Sequence, residues 1–390
     1  MIAIKSAKVM LIPNNKQKTK LFQYAGASRF AYNWTLARQQ ENYKNGGKFI
    51  SDNELRKEFT QLKKTKEFAW LNSISNNVTK QAIKDACDSY KRFFKGQSKF
   101  PRFKSKKKNR PSFYQDNIKI KFSETHVKLE GFANSKKKNK QKINWIRLAE
   151  KNRIPTNCKY SNPRITFDGL NWFISVGIEC DNNLEALTND GIGIDLGIKD
   201  LAICSDGKVY KNINKTNKIR KIKKKRRRLQ RQISRKYELN KEGRSYKKTS
   251  NIKKLEKQLL KVNHRLTNIR NNYLHQTTTK IVGRKPMFIV LENLNVVGMM
   301  KNRHLSKAIQ EQCFYEFYRQ IQYKCLWNNI KFIEADKWFP SSKTCSECGS
   351  IKKQLKLSER EYVCEECGCV IDRDLNASIN LMKYGMQSIT

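Results

Sequence analysis

The sequence predicts a multidomain α+β protein, and three observations support this fold class. The N-terminal half combines a helical region with a run of alternating strands, and the C-terminal half alternates buried strands with helices. A long basic helical segment interrupts that second half, and two cysteine pairs follow near the C-terminus. At 390 residues the chain is long enough for two or three domains, each with a core of its own.

The charge of the chain predicts a polyanionic partner. Lysine and arginine total 82 residues against 34 aspartates and glutamates, which gives a formal net charge of +48. Such a surplus repels itself without a partner, and nucleic acid is the expected one. An anionic membrane is the alternative, but no apolar run approaches the ~20 residues of a spanning helix. The first residues also lack the apolar core of a signal peptide, so we expect a cytoplasmic, nucleoid-associated activity and no membrane partner.

The first hundred residues predict one strand followed by helices. The strand runs from Ala3 to Ile12, and the helices lie between Lys16 and Phe94. One helix has an apolar face at regular helical spacing, which predicts a packed core; its residues are Val78, Ala82, Ala86 and Tyr90. The opposite face carries amide and basic side chains that are candidates for reading base edges, namely Lys80, Gln81 and Lys84.

Basic and aromatic residues interleave from Lys99 to Phe113. Aromatic surfaces beside phosphate-binding charges suit single-stranded or structured RNA, whereas a solvated lysine loop is the alternative. The candidate contacts in this segment are Phe100, Arg102, Phe103 and Lys104. The residues from Ile118 to Glu179 alternate like strands and predict a small barrel or sheet, which the first strand could complete.

Acidic residues stand at the ends of predicted core elements in the second half. Asp195 interrupts an apolar run that begins at Gly191, and Glu292 ends another buried strand. Asp374 begins the last helix, with Asp372 as its neighbour. A buried carboxylate costs several kcal/mol unless it is paired or bound to a metal, so these positions are functional candidates. For Asp195 the alternative is a strand-end residue that caps a turn.

The segment from Thr216 to Lys280 is helical and very basic. Apolar residues recur at spacings of three and four from Ile252 to Tyr273, which favours an antiparallel two-helix hairpin over a coiled-coil dimer. Its outer face is expected to contact a phosphate backbone through Arg226, Arg227 and Arg228. Further along, Ser306 to Asn328 predicts one continuous amphipathic helix, whose apolar set includes Cys313 and Leu326.

Two cysteine pairs of the C-x₂-C form predict a structural zinc site. Cys345 and Cys348 form the first pair, and Cys364 and Cys367 form the second after a spacer of fifteen residues. Each pair supplies two thiolates from one tight turn, which is the arrangement that tetrahedral zinc needs. Cys369 is a possible substitute ligand, although the spacing favours Cys367.

The three carboxylates predict metal-dependent hydrolysis of DNA. Carboxylate oxygens suit Mg²⁺, and two such ions about 3.5–4 Å apart activate a water and stabilise the leaving oxygen of a phosphodiester. Asp195 would bridge both ions, and Glu292 and Asp374 would hold one each. No Ser-His-Asp or Cys-His pair competes with this site. The four histidines are expected to be ordinary surface or packing residues; they are His126, His264, His275 and His304.

The C-terminal motifs together resemble a known family. Gly193-Ile-Asp195-Leu-Gly, Leu291-Glu292-Asn-Leu, the double C-x₂-C and Asp372-Arg-Asp374-Leu-Asn376-Ala are similar to the three RuvC blocks and zinc ribbon of TnpB proteins. These proteins are encoded by insertion sequences and are related to compact type V CRISPR effectors. The match covers residues 191–381, with looser likeness at 29–34 and 100–104. It identifies Asp374 as the third carboxylate, where spacing alone leaves Asp372 open.

The resemblance implies an RNA-guided DNA endonuclease that acts as a monomeric ribonucleoprotein. Guide RNA and target double-stranded DNA with a short adjacent motif would be its partners. It implies a wedge β-barrel at 1–15 and 99–188, and a helical recognition domain at 16–98. An RNase H-like RuvC domain is implied at 189–341 and 370–390, with the basic insertion at 216–280 and the zinc ribbon at 342–369.

Two other functions compete with this one. A nuclease-silent relative would act as an RNA-guided DNA-binding repressor, but it would lack metal ligands that this chain has. A strand-joining transposase would need a catalytic tyrosine and a His-x-His metal motif, and the sequence offers no such pair. We therefore expect two magnesium ions and one zinc ion as cofactors of a nuclease.

Overall fold

Helices and strands alternate along the whole described chain, in the mixed α and β composition that the sequence predicts. The computed structural model describes residues 2–132, 143–181, 186–356 and 359–389. Two compact units divide the chain at residues 181 and 182. Within these described ranges, no helix has both the length and the apolar character needed to cross a membrane.

The first unit is built on a seven-stranded antiparallel sheet in the order β2-β6-β7-β1-β5-β4-β3. Its strands are β1 (Ile2–Ile12), β2 (Ser112–Tyr114), β3 (Lys121–Phe122), β4 (His126–Lys128), β5 (Trp145–Leu148), β6 (Tyr160–Phe167) and β7 (Trp172–Asp181). The first strand lies inside this sheet, as predicted, because Leu11 pairs with Trp172 on one side and with Leu148 on the other.

Three helices pack on this sheet, together with a short 3₁₀ turn. They are α1 (Asn15–Lys44), α2 (Asp52–Leu62) and α3 (Asn76–Phe94). The first helix begins at a capping box, in which Asn14 and Gln17 each accept a backbone hydrogen bond from the other. The predicted apolar face of α3 is confirmed, since Val78, Ala82, Ala86 and Tyr90 are all buried in one core with residues of α1 and the sheet.

The second unit is built on a five-stranded sheet in the order β10-β9-β8-β13-β14, with two small ladders outside it. Its strands are β8 (Gly191–Asp195), β9 (Asp200–Cys204), β10 (Val209–Lys211), β11 (Lys241–Glu242), β12 (Ser245–Tyr246), β13 (Phe288–Glu292), β14 (Lys331–Ala335), β15 (Glu361–Val363) and β16 (Val370–Asp372). Strands β8, β13 and β14 are parallel. Strand β9 runs antiparallel to β8, and β10 pairs antiparallel with β9.

Helices cover both faces of this sheet. They are α4 (Asn217–Glu238), α5 (Ser250–Val282), α6 (Val296–Met299), α7 (Ser306–Gln312), α8 (Phe314–Trp327) and α9 (Arg373–Gln387). The C-terminal part of α5 and helix α8 bury one face, where Ile281 and Phe317 meet Ile289. Helix α9 buries the other face, where Leu381 meets Val290. Because a strand alternates its side chains between the two faces, each strand of this sheet serves two cores.

The basic insertion is an antiparallel two-helix hairpin, as predicted. Tyr237 near the end of α4 donates a hydrogen bond of 2.7 Å to Glu256 near the start of α5. At the other end, Arg270 of α5 donates to Asn214, which precedes α4. Apolar residues of the two helices form a separate small core between them.

The prediction of one continuous helix from Ser306 to Asn328 is wrong. Cys313 adopts a left-handed backbone conformation with φ of 57°, which ends α7 and starts α8 in a new direction. The predicted apolar set is also wrong at Leu326, which is 77% exposed. The buried face of α8 contains Phe317, Ile321 and Cys325, and Leu326 lies off that face.

Candidate active site and metal centre

Two of the predicted carboxylates lie at the ends of adjacent parallel strands. In the register between β8 and β13, Ile194 pairs with Leu291. Asp195 and Glu292 are each the next residue, and each ends its strand. Neighbouring strands lie about 4.8 Å apart, so the fold brings these two carboxylates to the same edge of the sheet.

Both carboxylates belong to the face of the sheet that α9 covers. Ile194 and Leu291 point into the core under α5 and α8, so the residues that follow them point to the opposite side. Phe288 and Val290, which share the side of Glu292, pack against Leu381 of α9. On β8, Gly193 shares the side of Asp195. A Cβ at Gly193 would overlap the backbone of Ser378 and Met382, so the glycine allows α9 to lie directly on the strand.

The third carboxylate is on the first turn of α9. Asp372 caps this helix, because its Oδ1 accepts hydrogen bonds from the backbone N–H groups of Asp374 at 3.0 Å and Leu375 at 3.1 Å. The carboxylate of Asp372 is thereby engaged in capping and exposed, whereas Asp374 is half-buried. The structure thus gives the two neighbouring acids different surroundings.

Burial raises the pKa of all three carboxyl groups. Burial, followed by the negative charges of Glu292 and Asp374, raises the pKa of Asp195 well above its ordinary value. Burial also raises the pKa of Glu292 and of Asp374, and Asp372 adds to the effect on Asp374. Like charges held together in a desolvated site are costly to ionise, and a bound cation removes that cost.

Ser341 contacts Glu292, and the sequence did not predict this contact. Its hydroxyl donates a hydrogen bond to Oε1 of Glu292, and this contact lowers the pKa of Glu292 against the effect of burial. The backbone oxygen of Ser341 accepts a hydrogen bond of 2.8 Å from Asn380 of α9. Ser341 therefore connects Glu292 with the helix that carries Asp374. A serine in a loop after a strand gives no sequence signal for such a role.

The four cysteines form one compact cluster. Across the described ranges, they are the one group of three or more metal-binding side chains whose ligand atoms all lie within 4.8 Å of one another.

The four cysteines have the geometry of a tetrahedral thiolate site. The Sγ atoms of Cys345 and Cys367 are 3.7 Å apart, and those of Cys348 and Cys364 are 3.6 Å apart. Four thiolates at 2.3 Å from one zinc ion lie about 3.8 Å from each other. The hydroxyl of Ser350 contacts Cys348 and Cys364 and lowers the pKa of both, to about 6 for Cys364. Cys369 is outside this group.

Two buried asparagines of α9 join the cysteine ribbon to the helix of Asp374. Asn376 donates 2.7 Å to the backbone oxygen of Thr344 and accepts 2.9 Å from the backbone N–H of Ser346, on either side of Cys345. Asn380, one turn later, also donates to Thr344. The sequence offers one signal for this link, because two amides four residues apart lie on the same face of a helix.

The three residues of α3 that were predicted to contact nucleic acid differ in their exposure. Lys80 and Lys84 are exposed. Gln81 is half-buried, and its amide donates 2.9 Å to Asp85, which also pairs with Arg164. The two lysines are therefore available for a phosphate, while Gln81 is part of a polar contact inside the first unit.

The predicted contacts after α3 also differ from one another. Phe100 and Phe103 are 48% and 52% exposed, and Arg102 is exposed beside them. Lys104 is half-buried, with its ammonium 3.5 Å from the ring centre of Tyr32, and burial lowers its pKa. Two exposed rings and one exposed guanidinium remain for contact with a nucleic acid.

The arginine run of the hairpin divides between two faces of α4. Arg227 and Arg228 line an open groove whose other residues are Lys224, Arg231, Gln232 and Arg235. Arg226 is partly buried, one turn from Ile222 and Leu229 on the side that packs against α5. The exposed side of α4 is therefore a continuous cationic stripe that suits a phosphate backbone.

Three family models match parts of the chain. Residues 174–303 match the family model described as "Probable transposase", residues 1–48 match "Helix-turn-helix domain", and residues 314–381 match "Cas12f1-like, TNB domain".

Two relatives match along nearly the whole chain. A protein of Streptomyces pristinaespiralis, named RNA-guided DNA endonuclease, is 30% identical over 97% of this chain and 89% of its own length. A protein of Escherichia coli K12, named RNA-guided DNA endonuclease InsQ, is 28% identical over 98% of this chain and 92% of its own length.

A solved structure shares the fold. It is the cryo-EM structure of the Cas12f1-sgRNA-target DNA complex, whose protein matches with a TM-score of 0.62 and 13% identity, over 98% of this chain and 99% of that one. The chain therefore shares the fold of that protein.

Proposed function

The chain belongs to the TnpB family, and on that premise we propose that it is an RNA-guided DNA endonuclease that cleaves DNA at Asp195, Glu292 and Asp374. Its full-length relatives are named for that activity. The net charge of +48 supports binding of a guide RNA and of target double-stranded DNA, because both present long phosphate surfaces.

One structural observation carries the assignment of the site. Asp195 and Glu292 end paired parallel strands on the face where α9 lies, and the first turn of α9 carries Asp374. Three separated stretches of sequence thus supply acids to one edge of one sheet. Structural carboxylates on a protein this basic would be expected to pair with lysine or arginine, whereas burial and the negative charges of Glu292 and Asp374 raise the pKa of Asp195.

The proposed domains follow from the same resemblance. The mixed sheet of the second unit, with helices on both faces, supports an RNase H-like RuvC domain at 189–341 and 370–390, with the hairpin inserted at 216–280. The cysteine ribbon at 342–369 is proposed as the zinc ribbon. The antiparallel sheet of the first unit supports a wedge barrel at 1–15 and 99–188, with a helical recognition domain at 16–98.

The residues fit the metals that the reaction needs. Asp195, Glu292 and Asp374 would hold two Mg²⁺ ions, which supply an activated water and charge stabilisation for the leaving oxygen. Asp195 suits the shared position, since the negative charges of Glu292 and Asp374 both raise its pKa. Ser341 orients Glu292, and Asp372 fixes the start of the helix that presents Asp374. One Zn²⁺ held by the four cysteines would keep the ribbon, and through Asn376 the helix, in place.

The proposal is tested with a ribonucleoprotein purified together with its copurifying RNA. Sequencing that RNA gives the guide, and a plasmid library with the matching target and randomised flanks gives the adjacent motif. We expect cleavage in the presence of Mg²⁺ and none in EDTA. Asp195→Ala should abolish cleavage and retain binding of RNA and target. Cleavage by Asp195→Ala would refute the site, and target binding without cleavage by the wild-type protein would favour the nuclease-silent repressor.

A further inference from the structure

A buried glutamine holds the loop that follows Asp195. This loop comprises residues 196–199 and joins β8 to β9. Gln312, at the end of α7, is 3% exposed, and its Nε2 donates 2.8 Å to the backbone oxygen of Gly197. The same amide lies 3.4 Å from the backbone oxygen of Asp200. The backbone just after Asp195 therefore takes its position from a side chain on a distant helix.

The residue before this glutamine binds both helices of the basic hairpin. One carboxylate oxygen of Glu311 lies 2.5 Å from Nζ of Lys223 on α4, and the other lies 3.4 Å from a guanidinium nitrogen of Arg270 on α5. All three side chains are at most 16% exposed. An ion pair shielded in this way persists at salt concentrations that screen surface pairs.

Asn214 joins these two contacts into one network. Its amide donates 2.8 Å to the backbone oxygen of Glu311 and lies 3.5 Å from Oε1 of Gln312. Its own Oδ1 accepts 2.7 Å from Nε of Arg270. A continuous set of polar contacts thus runs from the base of the hairpin to the loop after Asp195.

The backbone next to this network is in a costly conformation. Cys313, directly after Gln312, has φ of 57°, and a residue with a Cβ seldom adopts this region. Such outliers persist where the surroundings determine them, and they cluster at functional sites. Here the left-handed residue is Cys313, which ends α7 directly after Glu311 and Gln312 and starts α8.

The other side of α4 faces the expected ligand. Lys224, adjacent to Lys223, belongs to the cationic groove with Arg227, Arg228 and Arg231. Successive residues of one helix turn thus reach the groove and the buried ion pair. A phosphate backbone that docks in the groove and shifts or rigidifies α4 acts on Lys223, and through it on Glu311.

We propose that Glu311 and Gln312 are positioning residues that couple docking of a nucleic-acid backbone on α4 to the loop after Asp195. The proposal rests on the proposed function, which places the reaction at Asp195. Neither residue touches the reacting atoms. Glu311 contacts both helices of the hairpin, and Gln312 contacts the backbone oxygens of Gly197, Ile198 and Asp200. The two residues together position the backbone that follows Asp195.

The first test compares Gln312→Ala with Gln310→Ala in the full ribonucleoprotein. Gln310 is the matched control because it is a glutamine on the same short helix with an exposed side chain. We expect Gln312→Ala to lower the single-turnover cleavage rate by about 10–100-fold, while the Kd for target DNA stays within about twofold. Gln310→Ala should match wild type in both. Equal losses of rate and affinity in Gln312→Ala would overturn the proposal.

The second test reads the loop without using activity. Hydrogen exchange of the amides in residues 196–200 is measured in the protein free of RNA and in the complex with the copurified RNA. We expect RNA to slow this exchange in wild type and in Lys223→Arg, which keeps the cation, but not in Lys223→Met or Glu311→Gln. RNA protection that is unchanged in Lys223→Met would overturn the coupling.

Cleavage and hydrogen exchange together distinguish a failure of the nuclease function from a failure of the positioning role. If the wild-type complex binds its target without cutting, the proposed nuclease function fails, and the exchange experiment alone decides the coupling. If the wild type cleaves, and Gln312→Ala cleaves at the same rate with the same loop protection, the positioning role fails while the nuclease function stands.

Discussion

Asp195 and Glu292 occupy equivalent places on neighbouring parallel strands, each one residue beyond the pair formed by Ile194 and Leu291. Strand register sets this relationship and brings the two carboxylates to adjacent positions at one edge of the sheet. The same register directs both towards α9, whose first turn adds Asp374. The predictions that follow test the parts of this arrangement separately.

The two neighbouring acids at the start of α9 should have different roles. Asp374→Asn removes a proposed metal ligand and should reduce cleavage by more than the ~10–100-fold that loss of an outer hydrogen-bond partner costs. Asp372→Asn should cleave at the wild-type rate, because asparagine caps a helix as well as aspartate does. Single-turnover cleavage of a supercoiled target measures both. The reverse pattern would move the third carboxylate to Asp372.

Without metal, the charge of Asp195 should destabilise the fold at neutral pH. Its folded pKa is raised well above the ordinary value of 3.8, so between these two values the unfolded chain ionises while the folded chain stays protonated. Stability then falls as pH rises through this window. In EDTA at pH 7, Asp195→Asn should melt at a higher temperature than wild type.

The size of that gain is a test of its cause. The gain in melting temperature should shrink as pH falls towards 3.8 and vanish below it, because Asp195 of the unfolded wild type then becomes protonated as well. Added Mg²⁺ should raise the melting temperature of wild type more than that of Asp195→Asn, since a ligand that binds the folded state stabilises it. A gain that is the same at every pH would point to packing and not to charge.

The sequence was sufficient where a local pattern determined the outcome. The spacing of the cysteines predicted their cluster, and the periodicity of Val78, Ala82, Ala86 and Tyr90 predicted the buried face of α3. It was insufficient where the tertiary fold decided. The left-handed conformation of Cys313 breaks a helix whose pattern is continuous, and the contact of Ser341 with Glu292 joins residues 49 positions apart. Neither the Cys313 conformation nor the Ser341 contact produces a periodic pattern in the sequence, because both arise from packing between elements distant in sequence.

Loss of one cysteine ligand should release zinc and loosen α9. Cys345→Ser or Cys364→Ser should lower the zinc content of the purified protein below one ion per chain, as measured by mass spectrometry. Because Asn376 holds the turn around Cys345, the same variants should also lose cleavage. Cys369→Ser is the matched control and should keep both zinc and activity. Zinc loss only in Cys369→Ser would contradict the assignment of the four ligands.

The close approach of α9 to β8 should depend on the glycine between them. In Gly193→Ala the added Cβ meets the backbone of α9, which cannot move aside as a side chain can, so we expect a loss of about 1–3 kcal/mol or more in the free energy of unfolding. Gly26→Ala on α1 is the control. No atom outside its own helix backbone lies within 4 Å of the new Cβ there, so alanine should stabilise by about 0.5–1 kcal/mol. Urea unfolding measures both.

The cationic groove of α4 should bind a phosphate backbone through its own residues and not through charge in general. Arg227→Gln with Arg228→Gln removes two positive charges from the groove and should lower the slope of log Kd against log salt by about 0.7–0.9 for each lost phosphate contact. Lys218→Gln with Lys225→Gln removes the same charge from exposed positions of α4 outside the groove and should leave that slope nearly unchanged. Titrations of the copurified RNA at several salt concentrations give both slopes. Equal slopes in the two double variants would show that net charge, and not the groove, accounts for binding.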